Sequence, residues 1–350
     1  MTGSKRFYIL AAGIIVVCGC IVVLGIFGPG LFRILTRSVV PTPDFDATLR
    51  ALMTEVPASS TSPAPAPAPL ATASSGQPSG HIVFTCQIYK YQSAEQICIM
   101  SADGSGSRQL TQDAGTRHYY PSLAPDGGSV VYSQYREDNV YEIYELSLAD
   151  GASKRLTDKL GVLTGPEISP NGESIAFMRW TVTSNQYQIW LIDRNGANPR
   201  RLFSGTGWDP TWSPDGAQVL FASDMDGSVQ LYRVDLNGKN LQRLSDLPAI
   251  RGRSDWSAQD LITTYSGEAW KREIYVMAAD GSNARKVSPA GGNSQGPSFS
   301  PDGQWIAFTA YFDRFDDIHG CEIYVMRTDG SDLRRLTDND YCDYQPRWGP

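Results

Sequence analysis

Side chains that commonly carry acid–base or metal chemistry are scarce in this sequence. Its 350 residues include only three histidines: His81, His118 and His319. A catalytic metal cage needs several imidazoles at one place, and His81 is predicted to start a strand, which leaves two histidines on loops. No Gly-x-Ser-x-Gly nucleophile elbow is present. We therefore predict no enzymatic activity, no catalytic residue and no cofactor.

An acidic loop is a weaker candidate for chemistry. Carboxylates are the ligands of hard cations such as Ca²⁺, which takes about six to eight oxygens. The spacing of this loop fits no known calcium motif, and Arg314 adds a competing positive charge. The sequence favours a solvated loop, with a weak metal-binding alternative at Asp313, Asp316, Asp317 and His319.

A third group of residues combines aromatic rings with single charges or amides. Rings provide contact area and polar tips fix orientation, so such residues suit recognition of a peptide or a sugar. The alternative is structural, because aromatic residues also plug channels and pack between sheets. The candidates are Tyr119, Tyr120, Trp208, Asp209, Arg253, Gln295, Asp343, Tyr344 and Gln345.

These candidates are distributed over a repeat of about 45 residues, which indicates a radial or solenoid array. One module reads Ser300-Pro301-Asp302-Gly303, then Asp329-Gly330, then Arg335-Leu336-Thr337. The same order returns at 213–216, 237–238 and 243–245, and more loosely from 169 to 203. Pro and Gly set the two turns, so each module predicts four short strands. The fourth is basic, as at Arg334-Arg335, which is typical of protected outer edges.

The two ends of the repeat region indicate how the array closes. The second turns of the modules, at Asp103, Asp150, Asn195, Asn237, Asp280 and Asp329, indicate six modules. Residues 345–350 repeat only the opening of a module, and residues 80–84 repeat only its second strand. We therefore predict an all-β fold, a six-bladed β-propeller closed by the C-terminal strand. The first strand of each blade would lie nearest the axis, so the aromatic and charged candidates would surround one mouth of the channel.

This pattern resembles the TolB-like propeller repeat from about Gly80 to Pro350. The resemblance rests on Pro-x-Trp-Ser-Pro-Asp-Gly, Ile-Ala-Phe, Ile-Tyr-Val-Met, Asp-Gly and Arg-Leu-Thr in order. Module five departs from it, because Asp255 to Asp260 contain neither Pro nor Gly, and its first turn is expected to be remodelled. The resemblance implies a binding or scaffolding module in the periplasm or at the cell surface, or a cap beside a hydrolase domain. Neither a hydrolase domain nor the N-terminal α/β domain of periplasmic TolB proteins has a counterpart in the sequence.

Residues before the repeat predict a membrane anchor. No charged residue occurs from Phe7 to Phe32, a length sufficient to cross a hydrocarbon core of roughly 30 Å as a helix. The expected organisation is a cytoplasmic N-terminus at 1–6, a transmembrane helix at 7–32, a disordered Pro/Ala/Ser-rich linker at 33–79 and the propeller at 80–350. A cleaved signal peptide, or a lipoprotein signal ending at Cys20, remains an alternative.

Four cysteines, Cys86, Cys98, Cys321 and Cys342, fall within the repeat region. Adjacent runs carry the first two and loops at one face carry the others, so the preferred pairing is Cys86 with Cys98 and Cys321 with Cys342, among three possible pairings. Buried free thiols are the alternative. Disulfides would place the propeller outside the cytoplasm, on the extracytoplasmic side of a single-pass membrane protein.

The charge of the repeat region excludes one class of partner. Residues 80–350 carry 25 basic and 34 acidic side chains, a net charge opposed to binding nucleic-acid phosphates. The leading prediction is a binding or scaffold module for a protein, peptide or cell-envelope glycan. The alternatives are an enzyme that processes polysaccharide or peptide in the propeller funnel, and a purely structural spacer.

Overall fold

The computed structural model describes residues 14–17, 20–23, 76–89, 95–113, 115–250, 252–312, 314, 317–318 and 320–350. The chain divides into two compact units, residues 1–61 and 62–350. Within the described ranges, every regular element is a strand.

The first unit contains two short strands inside the segment for which the sequence predicts a helix. Strands β1 (Ile14–Val17) and β2 (Cys20–Val23) pair in antiparallel register. Both consist largely of β-branched Ile and Val, whose restricted side chains favour strands over helices. The remainder of the predicted helix and residues 33–75 of the linker lie outside the described residues. No helix in the described part of the chain is both long and apolar enough to cross a membrane.

The second unit is built of short strands joined by tight turns. In chain order they are β3 (His81–Gln87), β4 (Glu95–Ser101), β5 (Arg108–Gln109), β6 (His118–Leu123), β7 (Ser129–Glu137), β8 (Val140–Ser147), β9 (Ser153–Arg155), β10 (Val162–Ile168), β11 (Ser174–Trp180), β12 (Gln188–Asp193), β13 (Arg200–Arg201), β14 (Trp208–Trp212), β15 (Gln218–Ser223), β16 (Gln230–Asp235), β17 (Gln242–Arg243), β18 (Asp255–Trp256), β19 (Leu261–Ser266), β20 (Glu273–Ala278), β21 (Arg285–Lys286), β22 (Gln295–Phe299), β23 (Trp305–Ala310), β24 (Glu322–Arg327), β25 (Arg334–Arg335) and β26 (Asp343–Gly349).

Successive strands form antiparallel sheets in the order of the repeat. Three sheets have four strands each: β14 to β17, β18 to β21 and β22 to β25. A fourth has the order β26-β3-β4-β5, so the C-terminal strand pairs with the first strand of the unit as the sequence predicts. The remaining eight strands, β6 to β13, form two antiparallel groups of four that meet at a single parallel pairing of Val162 with Tyr141.

The sheets are arranged radially as a β-propeller. Their first strands contact one another in a closed cycle: β26, β6, β10, β14, β18, β22 and β26 again. Apolar side chains of neighbouring sheets pack together around this cycle. Phe84, Trp305 and Trp348, for example, belong to one buried cluster. The core is therefore divided into wedges between sheets, and the first strands are left to line an axial channel.

The Ser-Pro-Asp-Gly segments form the turns that their composition predicts. Ser300 Oγ accepts a hydrogen bond from Trp305 N (3.0 Å), Asp302 Oδ1 accepts one from Gln304 N (3.0 Å), and Gly303 has a φ of +68°. In module five, Asp260 takes the left-handed position at a φ of +61°, and the turn is one residue shorter because Ser257 N bonds Leu261 O. The expected remodelling is thus a deletion within the same kind of turn.

Both predicted disulfides are present. Cys86 pairs with Cys98 inside the β3–β4 sheet, and Cys321 pairs with Cys342. The second bond connects the segment before β24 to the segment before the closing strand. The end of the predicted linker also contacts the strands of this unit, since Trp348 Nε1 donates to Ser79 O and Arg327 Nη2 donates to Gly76 O, both at 2.8 Å. Residues 76–79, predicted as linker, are therefore bonded to the propeller.

Candidate functional site

Five first strands have a residue with positive φ at the place where their pairing register slips, and Arg253 takes the same position just before β18. These six residues, which we call the upper ring, are Tyr120 (56°), Gly165 (60°), Asp209 (52°), Arg253 (33°), Gly296 (57°) and Gln345 (56°). Proline follows five of them, and serine follows Arg253. A non-glycine residue in the left-handed region costs roughly 1 kcal/mol or more. The four polar side chains of the upper ring are therefore held at a cost, a common sign of a functional site.

Those four residues form one group, the axial network, through hydrogen bonds between side chains and main chain and one cation–π contact. Arg253 Nη2 donates to Gln345 O (3.3 Å), and its guanidinium lies 5.2 Å from the centre of the Tyr120 ring. Gln345 Oε1 accepts from Tyr120 N (3.0 Å), and Asp209 Oδ2 accepts from Arg253 N (3.1 Å). Residues that are far apart in the sequence thus converge on the axis of the propeller.

A second set of residues, the lower ring, lies two positions further along each first strand. Arg347 forms an ion pair with Glu167, and its Nη1 is 3.7 Å from Asp255 Oδ2. Asp255 Oδ2 also accepts from Ser298 Oγ (2.9 Å) and from the main chain of Phe299. The members are Ser122, Glu167, Thr211, Asp255, Ser298 and Arg347. Among the described residues, Glu167 Oε1 and Arg347 Nε and Nη1 have no hydrogen-bond partner, so this part of the ring is held mainly by charge. The lower ring lies on the side of the Ser-Pro-Asp-Gly turns, which we call the turn face.

Aromatic residues surround the other end of the channel, the loop mouth, where the first strands begin. Tyr119 donates through its hydroxyl to Glu95 Oε2 (3.0 Å), and Tyr119, Trp208 and Tyr344 are all partly exposed. Trp208 also packs against two of the buried clusters between sheets. A Cβ atom placed on Gly252 would lie only 2.9 Å from Trp208 Cδ1, so the backbone of Gly252 packs against this indole.

Burial changes the acid–base properties of residues in both rings and of Tyr344 at the loop mouth. Desolvation raises the pKa of Glu167 to about 7, although Arg347 acts in the opposite direction. Desolvation also raises the pKa of Asp209, against the attraction of Arg253, and raises the pKa of Tyr120 and Tyr344. The same burial lowers the pKa of Arg253 to about 10, which leaves it cationic at neutral pH.

The remaining predicted ligand residues lie near the mouth in structural roles. Gln295 Oε1 accepts a hydrogen bond from Arg272, and Asp343 is buried, where its Oδ2 accepts from Asn339 Nδ2 (2.8 Å). Desolvation and the nearby Glu322 carboxylate raise the pKa of Asp343 to about 7. The structure thus joins Tyr120, Asp209 and Arg253 into one site, with Tyr119, Trp208, Gln295 and Tyr344 at its rim.

The weak metal site is only partly visible, because Asp313, Asp316 and His319 lie outside the described residues. Asp317 N donates to Arg314 O in a turn. The described part of the chain contains no group of three or more His, Cys, Asp or Glu residues that could hold a metal ion. Whether the acidic loop binds a cation stays a prediction.

Both described histidines bond main-chain carbonyl oxygens. His118 is buried, with Nδ1 3.3 Å from Glu95 O and its ring 5.6 Å from Tyr132, and desolvation lowers its pKa. His81 Nδ1 lies 3.0 Å from Pro350 O beside a cleft of about 370 Å³ at the turn face. Neither imidazole belongs to the axial network.

Sequence reasoning missed the lower ring. The repeat pattern of the first strands is defined by its apolar and turn residues. The pattern therefore does not predict the roles of Glu167, Thr211, Asp255 and Arg347. Aligning the modules on the residue before proline would have found all of them but Asp255, because each lies two residues after an upper-ring position.

A radial all-β fold whose first strands enclose polar groups on the axis defines a β-propeller. Residues 70–267 match the TolB beta propeller domain model, PD40, and the chain belongs to this family. The match agrees with the resemblance seen in the sequence.

Known proteins similar to this chain differ in their stated roles. It is 32% identical over 163 residues to uncharacterized protein Atu1656 of Agrobacterium fabrum, covering 43% of this chain and 53% of that protein. It is 24% identical over 209 residues to uncharacterized peptidase YuxL of Bacillus subtilis, covering 47% of this chain and 32% of YuxL. TolB from Acinetobacter baumannii has a similar structure, with a TM-score of 0.67 and 22% identity over 77% of this chain and 67% of TolB. The chain thus spans about half or less of the curated relatives.

Proposed function

We propose that this protein is a binding module whose loop mouth and axial network hold an extended peptide segment of a protein partner. One observation carries the proposal: four polar residues are kept in left-handed conformations and converge on the channel axis. A purely structural ring would be served by glycine, which occupies the other two upper-ring positions without strain.

A peptide is a better ligand for this mouth than a glycan. Sugars are held largely by stacking on open aromatic faces, and the Tyr120 ring is covered by the Arg253 guanidinium at 5.2 Å. Trp208 packs against neighbouring sheets and against the backbone at Gly252. With these ring faces covered, the polar groups at the axis favour a chain rich in amide donors and acceptors.

The number of blades and the cellular location of the propeller are further parts of this proposal. The closed cycle of six first strands supports a propeller of six blades. The uncharged segment from Phe7 to Phe32 supports an anchor in the membrane, and the two disulfides support an extracytoplasmic propeller. The membrane, through the N-terminal segment, would then be a second partner.

A second candidate function is processing of a peptide in the same funnel. It is favoured by the similarity to YuxL, which is named as a peptidase. The structural roles of His81 and His118 weigh against it, because a general base must be free to reach the reacting proton. Hydrolysis of fluorogenic peptides by the purified full chain, lost in a His118→Gln variant that still folds, would favour the enzyme over the binding module.

Site-specific photo-cross-linking in the native membrane tests the binding proposal. The photoreactive residue p-benzoylphenylalanine replaces Tyr344 at the loop mouth or, as a matched control, the exposed Leu241 at the turn face. We expect a discrete protein adduct from position 344 and none from 241. Equal adducts from both positions, or none from 344, would contradict a partner site at the loop mouth.

A further inference from the structure

The axial network contains one donor and one acceptor without a described hydrogen-bond partner. Asp209 Oδ1 and Arg253 Nε are both buried, and among the described residues neither has a partner. Arg253 as a whole is only 6% exposed. Leaving buried polar atoms unpaired is costly, so the pair is suited to a ligand that supplies both missing bonds.

Two glycines of the upper ring leave room beside these atoms. An ideal Cβ at Gly165 would lie 3.8 Å from Asp209 Oδ1, and one at Gly296 would lie 3.6 Å from Arg253 Cδ. A side chain at either position would therefore compete for the space next to the unpaired donor and acceptor. The absence of side chains keeps that space open to a group arriving along the axis.

The main chain fixes which groups the acidic residue presents. Asp209 Oδ2 already accepts a hydrogen bond from Arg253 N at 3.1 Å, so Oδ1 is the oxygen available to a ligand. The adjacent Arg253 contributes Nε–H, while its Nη2 is used by Gln345 O. The site therefore offers one acceptor from Asp209 and one charged donor from Arg253, whose main chain bonds the same carboxylate.

A primary carboxamide matches this arrangement. Its C=O and N–H lie on one edge of a planar group, so it can accept from one neighbour and donate to the other. A trans peptide unit points its C=O and N–H in opposite directions, and so does the N-acetyl group of an amino sugar. A carboxylate has two acceptors and would face Asp209 with like charge.

We propose that the Asp209–Arg253 pair binds the side-chain amide of a glutamine or asparagine in the partner peptide. This inference rests on the proposed function and specifies which residue of the peptide enters the channel. The remainder of the peptide lies along the loop mouth, where Tyr119, Trp208 and Tyr344 are partly exposed.

The test measures binding of two small probes to the full chain in detergent micelles by saturation-transfer NMR titration. The probes are N-acetylglutamine methylamide and N-acetylglutamate methylamide, which differ only in the terminal group. We expect the glutamine probe to bind about tenfold more tightly than the glutamate probe. This ratio corresponds to the free energy that one hydrogen bond to a charged group contributes. No preference for glutamine, or no binding of either probe, would overturn the inference.

An Asp209→Asn variant makes the test independent of folding. Asparagine tolerates positive φ, and the Arg253 N–H would keep its side-chain oxygen at the Oδ2 position, so that NH₂ replaces Oδ1. The site would then present two donors, and preference should reverse toward the glutamate probe. Asp126→Asn at the turn face is the matched control and should leave the preference unchanged. An unchanged preference in Asp209→Asn would overturn the inference.

The two proposals fail separately. Loss of probe selectivity with an intact adduct from position 344 removes only the amide site. Loss of that adduct removes the proposed peptide-binding function and the amide site that depends on it.

Discussion

Arg347 on the closing strand forms a buried ion pair with Glu167 on β10, inside the channel. It also approaches Asp255 to 3.7 Å and donates through Nη2 to Ser254 O at 3.1 Å. These contacts join β26 to β10 and to the segment at β18, two first strands that are not its immediate neighbours in the cycle. The closing strand is therefore held by charge across the axis as well as by backbone pairing with β3.

Replacing Arg347 with methionine should destabilise the protein strongly. The variant leaves the carboxylates of Glu167 and Asp255 buried without their cation, a change that typically costs about 3–5 kcal/mol. Urea denaturation of the full chain measures this free energy of unfolding. The exposed Arg108→Met is the matched control and should unfold like the wild type. Adding Glu167→Gln to Arg347→Met should recover part of the loss, and failure to do so would exclude the uncompensated charge as the cause.

Stability should decline as pH rises from about 5 to about 7 because of two buried carboxyls. Desolvation raises the pKa of Glu167 from 4.5 and that of Asp343 from 3.8, each to about 7. The folded state then binds protons more tightly than the unfolded state. The contribution of these two groups to the free energy of unfolding is therefore largest below their ordinary pKa values and is lost as the pH rises through about 7. The slope from each group is at most about 1.4 kcal/mol per pH unit.

The matched double variant isolates this effect from other titrating groups. His118 acts in the opposite sense, because burial lowers its pKa and favours the folded state at higher pH. The lowered pKa of turn aspartates such as Asp215 matters only nearer pH 4. Glu167→Gln with Asp343→Asn should therefore reduce the loss of stability that occurs between pH 5 and pH 7. An identical pH profile would show that neither carboxyl titrates in that window.

The sequence predicts the strands and turns well because each is specified locally. Ser300 to Gly303 contain the side chains that their turn uses, and the nearly continuous apolar run of β23 specifies a strand that is buried on both faces. The sequence also predicts that the axial-network residues Tyr120, Asp209 and Arg253 lie close together, because the first strands of a propeller meet at the axis. Arg347 and Glu167 were missed because their pairing depends on ring closure, which brings distant modules together and leaves no mark in either one alone.

Reduction should destabilise the propeller chiefly through the bond between Cys321 and Cys342. This bond encloses 21 residues, against 12 for Cys86 with Cys98, and loop-entropy estimates give about 3 kcal/mol for loops of this size. It also connects the last complete sheet to the strand that closes the ring. Cys321→Ala with Cys342→Ala should lower the midpoint of denaturation more than the corresponding change at Cys86 and Cys98. Equal losses would show that the position of the bond at the closure does not matter.

Deleting residues 345–350 should abolish cooperative unfolding. The deletion removes Arg347 and Trp348 together with most of β26, so the edge of β3 loses its partner and the cluster around Phe84 loses one wall. An unpaired hydrophobic edge promotes association of chains through strand pairing. Removal of Pro350 alone is the matched control, since it leaves the pairing of β26 with β3 in place. Circular dichroism during denaturation, with sedimentation velocity for association, measures both effects. A six-residue truncation that stays monomeric and unfolds like the control would mean that the ring does not depend on its C-terminal strand or on the ion pairs of Arg347.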